Sequence, residues 1–218
     1  VVGLSADYPP YEFTAKVDGK TKYVGIDIDL AKQFAKDMGV KLVIKNMNFD
    51  SLLVALETHK VDAVISGMNP TTERQKSVDF SNIYYTGGKY IVINKKDKTK
   101  YTTKDSFSGQ TVGAQNGTLE YSLIQKQMDG AKVKGLAKLN NLILALQSGK
   151  VAGVLMEEAT AKAYVQKNSN LYAFNSKVKI NTNETGTAIA FPKGSASLVA
   201  AANKTIADIK KADLIDQQ

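Results

Sequence analysis

Three short segments of this 218-residue chain hold residue types suited to gripping small ions. In the first, Ser66-Gly67-Met68-Asn69 is followed by Arg74. Gly67 and Asn69 can offer backbone N–H groups. A guanidinium beside them suits a carboxylate, because its planar fork donates two parallel charge-assisted bonds. Arg74 reads alternatively as one more surface residue of the charged run Glu73 to Lys76. In the second, Gln115-Asn116-Gly117-Thr118 precedes a helical pattern over Glu120 to Met128. Helix N-termini attract anions through unpaired N–H groups and the dipole, although a plain tight turn is the default reading. In the third, Glu157-Glu158 ends an apolar strand, where an acid suits an ammonium group. The alternative is an N-cap for the helix carrying Ala159 to Val165, and one acid can cap while the other faces a cleft. Tyr8 and Phe49, also at strand ends, either clamp a flexible or cationic side chain, at ring distances within about 6 Å, or belong to the core.

The elements that position these segments repeat. Leu52-Leu53-Val54-Ala55-Leu56 followed by Lys60-Val61-Asp62-Ala63-Val64-Ile65 matches Leu142-Ile143-Leu144-Ala145-Leu146 followed by Lys150-Val151-Ala152-Gly153-Val154-Leu155. Each copy reads as an amphipathic helix, a turn and a strand. The strands end in Ser66-Gly67-Met68-Asn69 and Met156-Glu157-Glu158. A repeated unit implies two similar α/β lobes, and ligands of open α/β sheets bind at the carboxyl ends of strands. Strand and helix alternate along the whole chain, which predicts largely parallel sheets.

Local signals fill in the rest. Tyr8-Pro9-Pro10-Tyr11 must be an extended turn, and Asp18-Gly19 marks a hairpin. A helix carrying Leu30, Phe34, Ala35 and Met38 stops at Gly39, a strand spans Lys41 to Lys45, and Asp50 is the expected N-cap of the first repeat helix. The final helix is expected over Leu198 to Ile215. The chain starts on Val1-Val2-Gly3-Leu4 without signal-peptide features and ends on Asp216-Gln217-Gln218 without a C-cap signal. Both ends read as trimmed, the other reading being a cytosolic protein.

Composition excludes several classes. There is no cysteine, and the one histidine, His59, falls in an exposed turn, so thiol chemistry, His-based metal sites and triads are not expected. No apolar run reaches the roughly 18 residues of a membrane span. The net charge of +8 is scattered, and Lys95 to Lys100 reads as a solvated loop with only Tyr101 nearby, which argues against nucleic acid.

Taken together, Asp62 to Arg74 with Val78-Asp79-Phe80-Ser81 and Tyr84-Tyr85 resembles the polar amino-acid-binding proteins of bacterial ABC importers, the family 3 solute-binding proteins. So do Tyr8-Pro9-Pro10-Tyr11-Glu12-Phe13, Gly25 to Ala31, Phe49-Asp50-Ser51-Leu52 and Ala190-Phe191-Pro192-Lys193-Gly194, in register from about residue 2 to about residue 205. The resemblance implies a type II periplasmic-binding-protein fold: an α/β chain with lobe 1 at 1–86 plus 187–218, lobe 2 at 91–181, and hinge segments 87–90 and 182–186. It implies that Arg74 grips a ligand α-carboxylate, helped by amides at Asn69 and at Thr118 or Leu119. The α-ammonium falls to Glu157, the Gly67 carbonyl and the Asn69 side chain. Tyr8 and Phe49 sandwich the ligand side chain, Ser5, Ser66, Gln115 and Met156 line the far end, and Met68 counts among the ligand-binding residues.

Departures from the family pattern bear on specificity. Glu157 stands where aspartate is usual, Asn69 replaces serine or threonine, Ala152 replaces a strand aspartate, and Ser5 stands where basic binders often carry an acid, a lack that Asp7 can repair only by pointing inward. The implied protein is an extracytoplasmic monomer, periplasmic or a lipoprotein, that captures a polar L-amino acid between two lobes and delivers it to a membrane permease. Arginine is the favoured ligand and glutamine the rival. No cofactor, metal, catalytic residue or nucleic acid is expected. A receptor ligand-binding domain and a cyclohexadienyl-dehydratase-like enzyme with Glu157 as general acid are the competing classes.

Overall fold

The computed structural model describes residues 1–212. The chain divides into two compact units: Val1–Thr86 with the segment from Thr182 onward, and Gly87–Asn181. In the first unit the elements are β1 (Val2–Leu4), β2 (Asp7–Tyr8), β3 (Glu12–Val17), β4 (Lys20–Val24), α1 (Ile26–Asp37), β5 (Ile44–Asn46), α2 (Leu52–Glu57), β6 (Ala63–Val64) and β7 (Val78–Phe80). The second unit holds β8 (Lys89–Asn94), β9 (Thr111–Gln115), α3 (Leu119–Gln127), β10 (Lys132–Leu136), α4 (Leu139–Gln147), β11 (Gly153–Glu157), α5 (Glu158–Lys167) and β12 (Leu171–Asn175). The chain then returns to the first unit for β13 (Ala190–Pro192) and α6 (Ala196–Lys211). The end of the expected last helix, up to Ile215, lies outside the described residues.

Each unit carries a five-stranded sheet, in the orders β5-β1-β6-β13-β7 and β10-β9-β11-β8-β12. The repeat is visible here: α2–β6 and α4–β11 feed the central strand of their own sheets. Neither sheet is wholly parallel. β13 runs antiparallel to β6 and β7, and β8 runs antiparallel to β11 and β12. Each reversed strand is the first one laid down after the chain crosses from the other unit, so its direction follows from connectivity, which periodicity cannot reveal. The crossing points in unit 1 are neighbours: Tyr84 N–H donates to the Thr187 carbonyl at 3.0 Å and Thr187 N–H to the Tyr85 carbonyl at 2.9 Å.

A small antiparallel sheet, β2-β3-β4, turns at Asp18 and Gly19, whose positive φ values of 54° and 75° suit a two-residue hairpin. The expected Asp50 cap is not made. A 3-10 turn, Phe49–Ser51, precedes α2, placing Asp50 inside it and Ser51 at the N-cap position. The strand expected over Lys41 to Lys45 forms later, as β5.

In unit 1, Ile26, Leu30, Ala31 and Phe34 of α1 pack with Ala202, Ile206 and Ile209 of α6 over Ile65 and Phe191. In unit 2, Ile91, Ile93, Phe107, Val112, Leu123, Ile124 and Leu155 form the core, with Tyr101 stacked on Phe107. Each fully buried side chain of this kind contributes roughly 1.5–3 kcal/mol. No helix among the described residues is long and apolar enough to cross a membrane.

Candidate functional site

The loop that leaves β6 is built around a buried polar network. Gly67 takes φ of 52°, and its N–H donates to Asp27 Oδ2 at 2.6 Å. That amide, expected to be offered to an anion, is therefore engaged inside the protein. Tyr84 Oη donates to Asp27 Oδ1 at 2.8 Å. Burial raises the Asp27 pKa to about 6, against the opposing pull of the Gly67, Tyr84 and Glu12 hydrogen bonds. Burial, followed by the Asp27 charge, holds Glu12 well above the usual carboxylate range. Glu12 Oε1 accepts from Ser66 Oγ at 2.6 Å. Ser66 Oγ in turn accepts the Ser5 N–H at 3.0 Å, and Ser5 Oγ donates to Asp7 Oδ1 at 2.9 Å. Ser5, Ser66, Asp7, Glu12 and Asp27 are all buried. Asp7 thereby places an acid beside Ser5.

Next along the loop, Asn69 Nδ2 donates to the Gly186 carbonyl at 2.7 Å, and the Asn69 carbonyl accepts Arg74 Nη1 at 2.7 Å. The guanidinium carbon lies 5.5 Å from the centroid of the Phe49 ring. Arg74 is thus drawn out of its charged run, in which Glu73 and Lys76 pair with each other in solvent. Tyr8 packs on Tyr11 with ring centroids 5.9 Å apart. A Cβ on Gly67 would sit 3.7 Å from Tyr8 Cδ1, so Tyr8 borders the same loop. Met68 does not share that surface. Its side chain is core, packed with Leu52, Val78 and Ala190.

In unit 2, Gln115 and Thr118 form the tight turn into α3. Thr118 Oγ1 donates to the Gln115 carbonyl at 2.7 Å and accepts from Tyr121 N–H at 3.4 Å, capping the helix, while its own N–H reaches the Gln115 carbonyl at 3.3 Å. Gln115 Nε2 donates to the Ala137 carbonyl at 3.0 Å, and Leu119 packs against the core.

Glu157, at the end of β11, lies opposite Lys89 in the β11–β8 register. Lys89 Nζ donates to Glu157 Oε1 and, at 2.7 Å, to Glu120 Oε1 of the first turn of α3. All three side chains are almost wholly buried. Burial alone would push Lys89 down, but the Glu120 and Glu157 carboxylates outweigh it and the pKa moves up. Lys89 and Glu120 are absent from the residues that the sequence singles out. The one signal for Lys89 there is a charge at the start of the apolar run Lys89 to Asn94, and Glu120 shows only as the first residue of the helical pattern to Met128.

Glu157 occupies the N-cap position of α5 without a side-chain cap bond. Glu158 holds the crossing instead. Its Oε2 accepts Gly88 N–H at 3.1 Å, its own N–H donates to the Gly88 carbonyl at 2.8 Å, and Lys162 pairs with Oε1 at 2.6 Å. The Lys162 hydrogen bond, then that of Gly88, lowers its pKa.

The model of the bacterial extracellular solute-binding proteins, family 3, matches residues 1–217. The arginine-binding extracellular protein ArtP of Bacillus subtilis is 36% identical over 200 residues, covering 89% of this chain and 74% of that protein. The fold matches that of the amino acid ABC transporter substrate-binding protein AbpA from Streptococcus pneumoniae, bound to L-arginine, at a TM-score of 0.93 and 35% identity, covering 99% of this chain and 90% of the other. An ancestral arginine-binding protein bound to glutamine matches at a TM-score of 0.89 and 35% identity, covering 99% and 93%. A family match over nearly the whole sequence, in a chain with two five-stranded units of the same strand plan, is decisive: this chain belongs to the bacterial extracellular solute-binding proteins, family 3.

Proposed function

We propose that the chain is an extracytoplasmic solute-binding protein that captures L-arginine and hands it to the permease of an ABC importer. The observation that carries this reading is the L-arginine held by the S. pneumoniae protein of matching fold. Arg74, oriented by the Asn69 carbonyl and the Phe49 ring, takes the α-carboxylate as a bidentate fork. The Leu119 amide assists it, since the first N–H groups of a helix lack intrahelical acceptors. Glu157 and the Gly67 carbonyl take the α-ammonium. Tyr8 and Phe49 flank the aliphatic stem, and Asp7, beside Ser5, receives the guanidinium. The role extended from the relatives to this chain is binding for transport, rather than catalysis.

Glutamine is the second reading, favoured by the ancestral arginine-binding protein that holds it. Calorimetry with L-arginine, L-glutamine, L-lysine and L-histidine separates the two. Tightest binding of L-arginine is the expected result, tightest binding of L-glutamine establishes the second reading, and flat titrations with all four overturn both.

A further inference from the structure

The buried triad Lys89–Glu120–Glu157 has an arithmetic that a lone acid would lack. One ammonium and two carboxylates meet at Lys89 Nζ, so the cluster carries one net negative charge. Burying charge is costly unless it is matched nearby. Lys89 alone beside Glu157 would make a neutral pair with no charge left for an incoming cation. Glu120, placed by the first turn of α3 where the helix dipole favours an acid, restores that charge. Lys89 also ties down one oxygen of Glu157, a side chain one methylene longer than the aspartate usual in the resembling family, and so limits its rotamers.

We propose that Lys89 and Glu120 are positioning residues of the ammonium site, Lys89 fixing the Glu157 carboxylate and Glu120 setting the triad's charge to match a single α-ammonium. This rests on the reading above, in which Glu157 receives that group. Two consequences separate this role from mere structural support. A neutralised Glu120 should weaken only ligands that carry an α-ammonium. Removing Lys89 as well should restore the charge and the binding.

The test is calorimetry of wild type, Glu120→Gln, Glu157→Gln and the double variant Lys89→Met/Glu120→Gln. The titrants are L-arginine and desamino-arginine, which lacks only the α-ammonium, and folding is checked by circular dichroism. Glu120→Gln is expected to weaken L-arginine by roughly thirtyfold or more and to bind desamino-arginine as tightly as wild type or more tightly. The double variant should recover most of the loss, and it serves alone if Glu120→Gln does not fold: binding of L-arginine close to wild type supports the proposal, and binding as weak as in Glu157→Gln refutes it. Equal weakening of both titrants by Glu120→Gln, or no effect of it on L-arginine while Glu157→Gln abolishes binding, overturns the proposal alone. If Glu157→Gln binds L-arginine like wild type, the underlying assignment of Glu157 fails, and the proposal with it.

Discussion

Gly67 and Asp27, forty residues apart, are joined by a 2.6 Å hydrogen bond from the Gly67 N–H to Oδ2. It ties the loop after β6 to the first turn of α1. The Asp27 carboxyl is fully buried and its pKa is raised to about 6, so the loop rests on a titrating group.

That group gives a pH prediction. Asp27 moves up from 3.8 to about 6 through burial, so it takes up a proton on folding. Its stabilising contribution is complete below the unfolded value and is lost as pH rises through about 6. Urea unfolding should show stability falling by on the order of 2–3 kcal/mol between about pH 4 and about pH 6 from Asp27. In Asp27→Asn the slope in that window should flatten, and an unchanged slope would assign the titration elsewhere.

Gly67→Ala tests the loop's backbone. An added Cβ finds ordinary van der Waals spacing to Tyr11 and Tyr8, so the cost is the left-handed φ alone. Denaturant unfolding should register a loss of about 1 kcal/mol. A neutral result would mean that the loop relaxes without resistance.

Arg74→Ala should cost on the order of 2–5 kcal/mol of binding for every amino-acid ligand alike. Arg74→Lys should lose much of the same energy, because a point charge cannot reproduce the fork. Calorimetry placing the alanine variant within about threefold of wild type (under about 1 kcal/mol) would falsify the carboxylate assignment.

Asp7→Asn should discriminate between ligands. Removing the acid beside Ser5 is expected to weaken L-arginine by roughly tenfold or more and to leave L-glutamine little changed. Parallel loss of both ligands would remove Asp7 from side-chain recognition and leave it a support for Ser5.

Much of the architecture was legible because it is written locally. The two helix–strand copies carry their periods within a dozen residues, and the Asp18-Gly19 hairpin and the Gln115–Thr118 turn are signalled by residues that fit special backbone angles. What stayed hidden depends on meetings at long range. Lys89 lies 31 residues from Glu120 and 68 from Glu157; the β8–β11 register brings it to Glu157, and the packing of α3 on the sheet brings it to Glu120. Glu12 and Asp27 stand out in the sequence only as parts of motifs, since their raised pKa values come from burial. Met68 reads in the sequence with its polar neighbours, yet a side chain's direction at a loop's end is set by the core it finds.

The hydrogen-bonded pairing of Tyr84 and Tyr85 with Thr187 has an evolutionary consequence. The chain leaves and re-enters its first unit at adjacent points, so the intervening segment is a contiguous cassette with its two ends side by side. Such a segment can be exchanged between homologues by a double crossover, because both junctions fall outside the strands of either sheet. New ligand preferences could then arise by grafting one half of a binding protein onto another, and Glu120, Glu157 and Lys89 would travel together.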